Sequence, residues 1–183
     1  ENLQPSTIAN PNIQVFEGDL NNTELICDCI KDTHAVFLAV AVSGNVPGNT
    51  IAQDTAQVVI TALRELLTTN PPHKLPKLIV LSAAPTDPAF TKSIPAPALS
   101  LLLLAESNIY SDLHAAESIL RANQSWLSVT FVKPGALSID SQKEHRLTFQ
   151  APKGVVSFIA LAAAMVEVAD AGDEFEWKSV PVD

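Results

Sequence analysis

The chain has 183 residues, 47% of them hydrophobic and 17% charged, with a formal net charge of −9. That length supports one domain with a sizeable core, and the hydrophobic content excludes a disordered acidic chain. The acidic balance, with no cluster of Lys or Arg to offset it, argues against a nucleic-acid surface.

Residues 1–12 are polar, carry two prolines and read as a tail or linker; the domain is expected over 13–183. The chain opens on Glu1 and its only methionine is Met165, so further sequence is expected before Glu1. Ile13-Gln-Val-Phe16 has the pattern of a short strand, closing on Glu17-Gly-Asp-Leu20. Asn21 or Asn22 can cap a helix running to about residue 30, with Glu24 in its first turn. Cys27 and Cys29 stand two apart on that helix and point to different faces. They form neither a disulfide framework nor a zinc site, and are expected as buried reduced thiols of a cytoplasmic protein.

Ala35-Val-Phe-Leu-Ala-Val-Ala41 is a continuous apolar run of strand length, expected to be covered on both faces. A loop over 42–49 with two glycines and a proline leads to a helix over 51–68. Its buried stripe is Ala52, Ala56, Val59, Leu63 and Leu66, and Asn70-Pro-Pro ends it. Leu78-Ile-Val-Leu-Ser82 is the next buried strand. A proline-rich loop over 83–97 precedes a helix over 99–104 and then the helix that Tyr110 opens, with apolar Leu113, Ala116, Ile119 and Leu120 on one face. A strand over 129–132 ends in Pro134-Gly135. An irregular polar segment over 138–153, a helix over 156–169 and a short strand over 177–182 complete the pattern. The apolar stretch 98–105 is too short to span a membrane, and no signal peptide is expected. Strands alternating with helices specify an α/β fold with a parallel sheet covered on both sides, five strands coming from this chain.

Chemistry concentrates near Tyr110. His114 stands four residues on, one turn away on the same side of the helix, and a phenol beside a base is a proton-transfer pair. The plain alternative makes Tyr110 a half-buried core aromatic and His114 a solvated helix residue. Pro134-Gly135 at a strand's carboxyl end places backbone in the crevice where open α/β sheets bind ligands. Lys133 reads as a solvated strand-end charge, and Asp112 and Glu117 as outward-pointing helix residues. Asp19 can cap the following helix, and Ser82 can be a plain strand-end hydroxyl. Trp126 and Trp177 suit core or rim packing. His34, His73 and His145 are scattered in loops and give no metal spacing.

Several motifs stand in a telling order: Glu17-Gly-Asp-Leu20, Ala39-Val-Ala41, Leu78-Ile-Val-Leu-Ser82-Ala-Ala, Asn108-Ile-Tyr110-Ser-Asp112 with Ala115-Ala-Glu117, and Thr130-Phe-Val-Lys-Pro-Gly-Ala-Leu137. Together they resemble the atypical short-chain dehydrogenase/reductases of the NmrA-like, NAD(P)-binding group. The ending Phe175-Glu-Trp-Lys-Ser-Val is similar to a fungal branch that includes averufin oxidase-type proteins of polyketide pathways. The resemblance spans roughly residues 13–182. It implies a Rossmann-like, doubly wound sheet in which the first strand, the Gly-rich turn and the second strand would precede Glu1. The Ile13–Phe16 strand then has no neighbour in the usual order 3-2-1-4-5-6 and must pair elsewhere.

The resemblance also implies NAD or NADP as cofactor. Asp19 and Leu20 would lie near the adenine, and Ala39, Val40 and Ala41 along the dinucleotide. Ser82 would stand near the nicotinamide end as a catalytic residue, with Lys133, Pro134 and Gly135 beside the nicotinamide. Tyr110 takes the catalytic tyrosine position, and His114 replaces the usual lysine of Tyr-x-x-x-Lys. A neutral histidine lowers the phenol pKa less than a fixed lysine charge does. No G-x-G-x-x-G stands in the 183 residues; Ser43-Gly-Asn-Val-Pro-Gly48 follows the wrong strand and reads as a loop. Weak dinucleotide affinity is therefore expected for this chain by itself. Two functions stay open. One is an NAD(P)-dependent oxidoreductase acting on an aromatic or polyketide-type small molecule in fungal secondary metabolism, its pocket formed by 83–109 and 138–153. The other keeps the scaffold as a cofactor-independent isomerase, lyase or cyclase, or as a dinucleotide-sensing module. The partner in the first case is a small-molecule substrate, with neither nucleic acid nor membrane, and a homodimer is possible.

Overall fold

A computed structural model describes residues 5–69, 74–92, 94–139 and 144–183. The Asn70-Pro-Pro stop, His73 and residues 140–143 of the polar segment lie outside them. In chain order the elements are helix α1 (Pro5–Ile8), α2 (Thr23–Ile30), strand β1 (Ala35–Leu38), α3 (Ile51–Thr69) and β2 (Lys77–Leu81). A 3-10 turn (Ala84–Thr86) and α4 (Pro88–Thr91) follow, then α5 (Ala96–Ala105), α6 (Ser107–Arg121), β3 (Val129–Pro134) and β4 (Ala136–Ser138). The chain continues through β5 (Val155–Ser157), α7 (Phe158–Asp170) and β6 (Ser179–Val182).

The main sheet has four parallel strands in the order β1-β2-β3-β6. Its central strands are apolar without alternation because both faces are covered. On one face Leu78, Val80, Val129 and Phe131 pack against α2, α3 and α6; on the other, Ile79, Val132, Val180 and Val182 pack against α7. Trp126 and Trp177 pack at the margin of the first cluster, and Cys27 is buried in it as a free thiol. Burial, then the nearby Glu65, Asp28 and Glu24 carboxylates, push the Cys27 thiol pKa up, which keeps it protonated and inert.

Sequence and structure agree on helices α2, α3, α5, α6 and α7 and on four of the five expected strands. Asn22 is the residue that caps α2, its side chain accepting from the Leu25 N–H at 3.1 Å. The fifth strand is a correction: residues 13–16 form no ladder, and Ile13, Val15 and Phe16 are exposed. A strand needs a partner for its backbone groups, and the described residues offer it none. For the same reason β1 is an edge strand rather than one covered on both faces; Phe37 is 44% exposed. The apolar run also leaves the sheet after Leu38, so Ala39, Val40 and Ala41 line a crevice instead of a ladder.

Two local signals escape the periodicity. Within the proline-rich loop, Asp87 caps α4 by accepting from the Ala89 N–H at 2.9 Å. Ser157 caps α7, accepting from the Ala160 N–H at 3.1 Å. That cap releases residues 155–157 to pair with β4 in a small parallel ladder.

Candidate active site

The carboxyl ends of β1 and β2 open onto a crevice of about 570 Å³. Its walls include Ala39, Val40, Ala41, Ser82, Ala83 and Leu113, with Asn49 and Asp112 at one side. A second cavity, of about 300 Å³, adjoins it and is lined by Ala83, Pro85, Phe90, Leu102, Tyr110 and Gly135 among others. Ala83 belongs to both. Gly135 keeps this second wall close: a Cβ there would approach Pro152 Cγ to 3.3 Å.

Of the residues singled out in the sequence, Ala39, Val40, Ala41 and Ser82 thus share the crevice, while Tyr110 and Gly135 share the neighbouring cavity. Asp19, Leu20, Lys133 and Pro134 line neither. Asp19 is exposed and accepts from the Asn21 backbone at 2.8 Å. His114 is exposed, and it is not hydrogen-bonded to Tyr110. Burial, with a smaller contribution from Glu106, pushes the Tyr110 phenol above its ordinary value. A phenol so placed stays protonated past the pH at which a free tyrosine ionises, which suits a proton donor better than a base.

Three side chains read as solvated are not. Lys133 is 1% exposed, Asp112 2% and Glu117 6%. The Lys133 ammonium lies 2.7 Å from Glu117 Oε1 and donates to Thr86 Oγ1 at 2.7 Å. Ser82 Oγ donates to the same Glu117 oxygen at 2.5 Å. The helical spacing holds the clue: Asp112 precedes Ala116 by four residues, and Glu117 follows Leu113 by four. Both acids therefore flank the buried stripe.

Asp112 caps a helix that is not its own. Its carboxylate accepts from the backbone N–H groups of Ala52 at 3.0 Å and Gln53 at 3.1 Å, in the first turn of α3. The side chains of Asn49, at 2.7 Å, and Gln53, at 3.1 Å, complete its partners. In return Asn45 Oδ1, in the loop before α3, accepts from Asn108 N–H at 2.8 Å at the start of α6. A buried carboxylate is tolerated here because it meets orphan N–H donors and the positive end of the α3 dipole. Asp112→Ala leaves those donors buried and unmet, and is expected to cost about 2–3 kcal/mol. Urea unfolding checks this, as a lower midpoint with an unchanged slope.

The model of the NAD(P)H-binding family matches residues 2–171. The chain belongs to this family. Among its relatives, the oxidoreductase ordB of Dothistroma septosporum is 48% identical over 98% of the chain and 67% of its own length. The oxidoreductase stcQ of Emericella nidulans is 44% identical over 97% of the chain and 65% of its own length. The chain thus spans about two thirds of the curated relatives it matches. A wide-type short-chain dehydrogenase/reductase of Veillonella parvula, solved in complex with NADP, aligns with a TM-score of 0.73. It is 21% identical, over 98% of this chain and 76% of that one, a likeness of fold. The family relationship and the Rossmann-like fold are those the motif order implies.

The residues fit part of a dinucleotide. Small apolar side chains at the ends of β1 and β2 suit the flat nicotinamide end, with Ser82 and Asn49 as polar contacts. A pyrophosphate cradle is not among the glycines. Gly44 and Gly48, at φ +78° and +73°, serve open turns, where a Cβ would meet nothing within 4 Å. No group of His, Cys, Asp and Glu suited to a metal ion occurs among the described residues, and no helix there is long and apolar enough to cross a membrane.

Proposed function

We propose that the protein is an NAD(P)-dependent oxidoreductase that reduces a carbonyl on an aromatic or polyketide-type small molecule in fungal secondary metabolism. The observation that carries this reading is the pair of adjoining cavities, one walled by Ala39, Ala41 and Ser82 and the other by Tyr110 and Gly135. A bound nicotinamide supplies hydride. The chain's own part is to hold it against the ends of β1 and β2, and to donate a proton from the Tyr110 phenol to the developing alkoxide. Among the described residues the second cavity has no charged lining residue, which favours a neutral, flat substrate.

Nicotinamide absorbance tests the reaction. NADPH or NADH should be consumed only when an aromatic ketone or quinone is present. Turnover of such a compound with no consumption of dinucleotide would instead establish an isomerase, lyase or cyclase on this scaffold. For binding, the 183-residue chain alone is expected to hold NAD(P) weakly, because no G-x-G-x-x-G turn stands in it to offer the pyrophosphate backbone donors. Calorimetric titration giving a Kd on the order of 1 μM, about −8 kcal/mol, would reveal another phosphate cradle.

The proposed location is the cytoplasm. The proposed assembly is a homodimer, supported by the exposed Leu101 and Leu104 of α5, and sedimentation reads it directly.

A further inference from the structure

We infer that the buried Lys133–Glu117 pair is a positioning device for Tyr110, fixing the phenol-bearing helix α6 against the turn that walls its cavity. This rests on the reading of Tyr110 as the proton donor. Neither member of the pair lines either cavity, so neither is a catalytic residue.

The network joins four separate pieces of chain. Lys133 lies near the end of β3, Glu117 lies in α6, Ser82 follows β2, and Thr86 closes the 3-10 turn. Lys133 Nζ meets Glu117 Oε1 at 2.7 Å, Glu117 Oε2 at 3.0 Å and Thr86 Oγ1 at 2.7 Å, which occupies its three donors. Glu117 Oε1 also receives Ser82 Oγ at 2.5 Å, with Thr86 Oγ1 3.2 Å away. Thr86 Oγ1 lies 2.7 Å from the Ala83 carbonyl, so the turn is tied at both ends. Ala83, Ala84 and Pro85 of that turn face the Tyr110 cavity.

Burying two charges is a costly way to attach a helix to a sheet; apolar side chains of similar volume do it as well or better. What the pair adds is direction. Of the other buried contacts of α6, Ala116 and Leu120 pack without selecting one register, and Asp112 fixes the helix against α3, not against β3 and the turn. The ammonium and carboxylate are satisfied only when α6, β3 and the turn meet in a single arrangement. Tyr110 stands seven residues before Glu117, two helical turns and about 10.5 Å along the same side. Fixing Glu117 therefore fixes where the phenol stands against Ala84 and Pro85.

Tyr110 is the only tyrosine in the chain, so its ionisation can be read without ambiguity by ultraviolet difference absorption. The decisive variant is the double substitution Lys133→Met with Glu117→Leu, which removes both charges and keeps the volume. It should unfold cooperatively, at a midpoint close to that of the parent and well above either single variant. Its phenol should titrate closer to a free tyrosine, and its turnover of an aromatic carbonyl substrate should fall roughly 10²-fold from misplacement alone. A folded double variant with the parent's tyrosine titration and turnover would overturn the inference. If that variant does not fold, Thr86→Val decides. It leaves the charges in place and frees the turn, so an unchanged titration there also overturns the proposal. Failure of the proton-donor reading is separable, since it would show as undiminished turnover in Tyr110→Phe whatever the titrations give.

Discussion

Tyr110→Phe is expected to lower turnover by roughly 10²–10⁴ while leaving the fold intact, the range that proton transfer by a positioned side chain contributes. The substitution removes one hydroxyl from a half-buried ring that lines a cavity, so packing is conserved. Because the raised pKa keeps the phenol protonated, loss of the donor should appear in kcat across the neutral range. The pH dependence has a definite sign. Native tyrosine binds its proton more tightly than the unfolded chain does. Its contribution to stability is therefore complete below the ordinary tyrosine pKa and is lost as pH rises through the higher native value. Carbonyl reduction should hold its rate past the pH where a free phenol ionises, then decline. Steady-state kinetics over the alkaline range, with thermal unfolding alongside, tests both statements. Turnover equal to the parent's in Tyr110→Phe would remove this residue from the mechanism.

The largest loss of stability is expected from Glu117→Leu alone, about 3–5 kcal/mol. The Lys133 ammonium, 1% exposed, would keep only the Thr86 hydroxyl and no counter-charge. Lys133→Met alone should cost a similar amount by stranding the carboxylate instead. The double variant should recover most of either loss, because the penalty belongs to the unpaired charge and not to the absence of the pair. Chemical denaturation of the three variants forms a double-mutant cycle. A single-variant loss below about 1 kcal/mol would mean that the remaining charge reaches solvent, at odds with its burial.

Much of the architecture is legible because burial on two faces leaves an unmistakable trace. Leu78-Ile-Val-Leu and the strand from Val129 read as apolar runs and form the sheet's centre. Asp112 and Glu117 escape such a reading because an acid on a helix is usually solvated, and only its partners say otherwise. Those partners are remote: the Ala52 N–H that Asp112 satisfies lies 60 residues away in sequence. Lys133, similarly, is an isolated charge until Glu117 and Thr86 stand beside it. The segment over 13–16 fails for the opposite reason. Its alternation is strand-like, but a ladder is a relation between two stretches of backbone and cannot be read from one. The placement of Tyr110 beside Gly135 depends on how α6 crosses the end of β3, which no local pattern specifies.

The exchange of caps between Asn45 and Asp112 also changes how the loop over 42–50 can evolve. Surface loops ordinarily accept insertions at little thermodynamic cost, since closure entropy rises slowly with length. This one carries the acceptor for the start of α6 and runs directly into the helix start that Asp112 serves. An added residue would shift Asn45 away from one helix while dragging the other out of reach of its carboxylate. The segment that looks freest to vary is therefore length-restricted, and related chains should differ here by substitution more readily than by insertion.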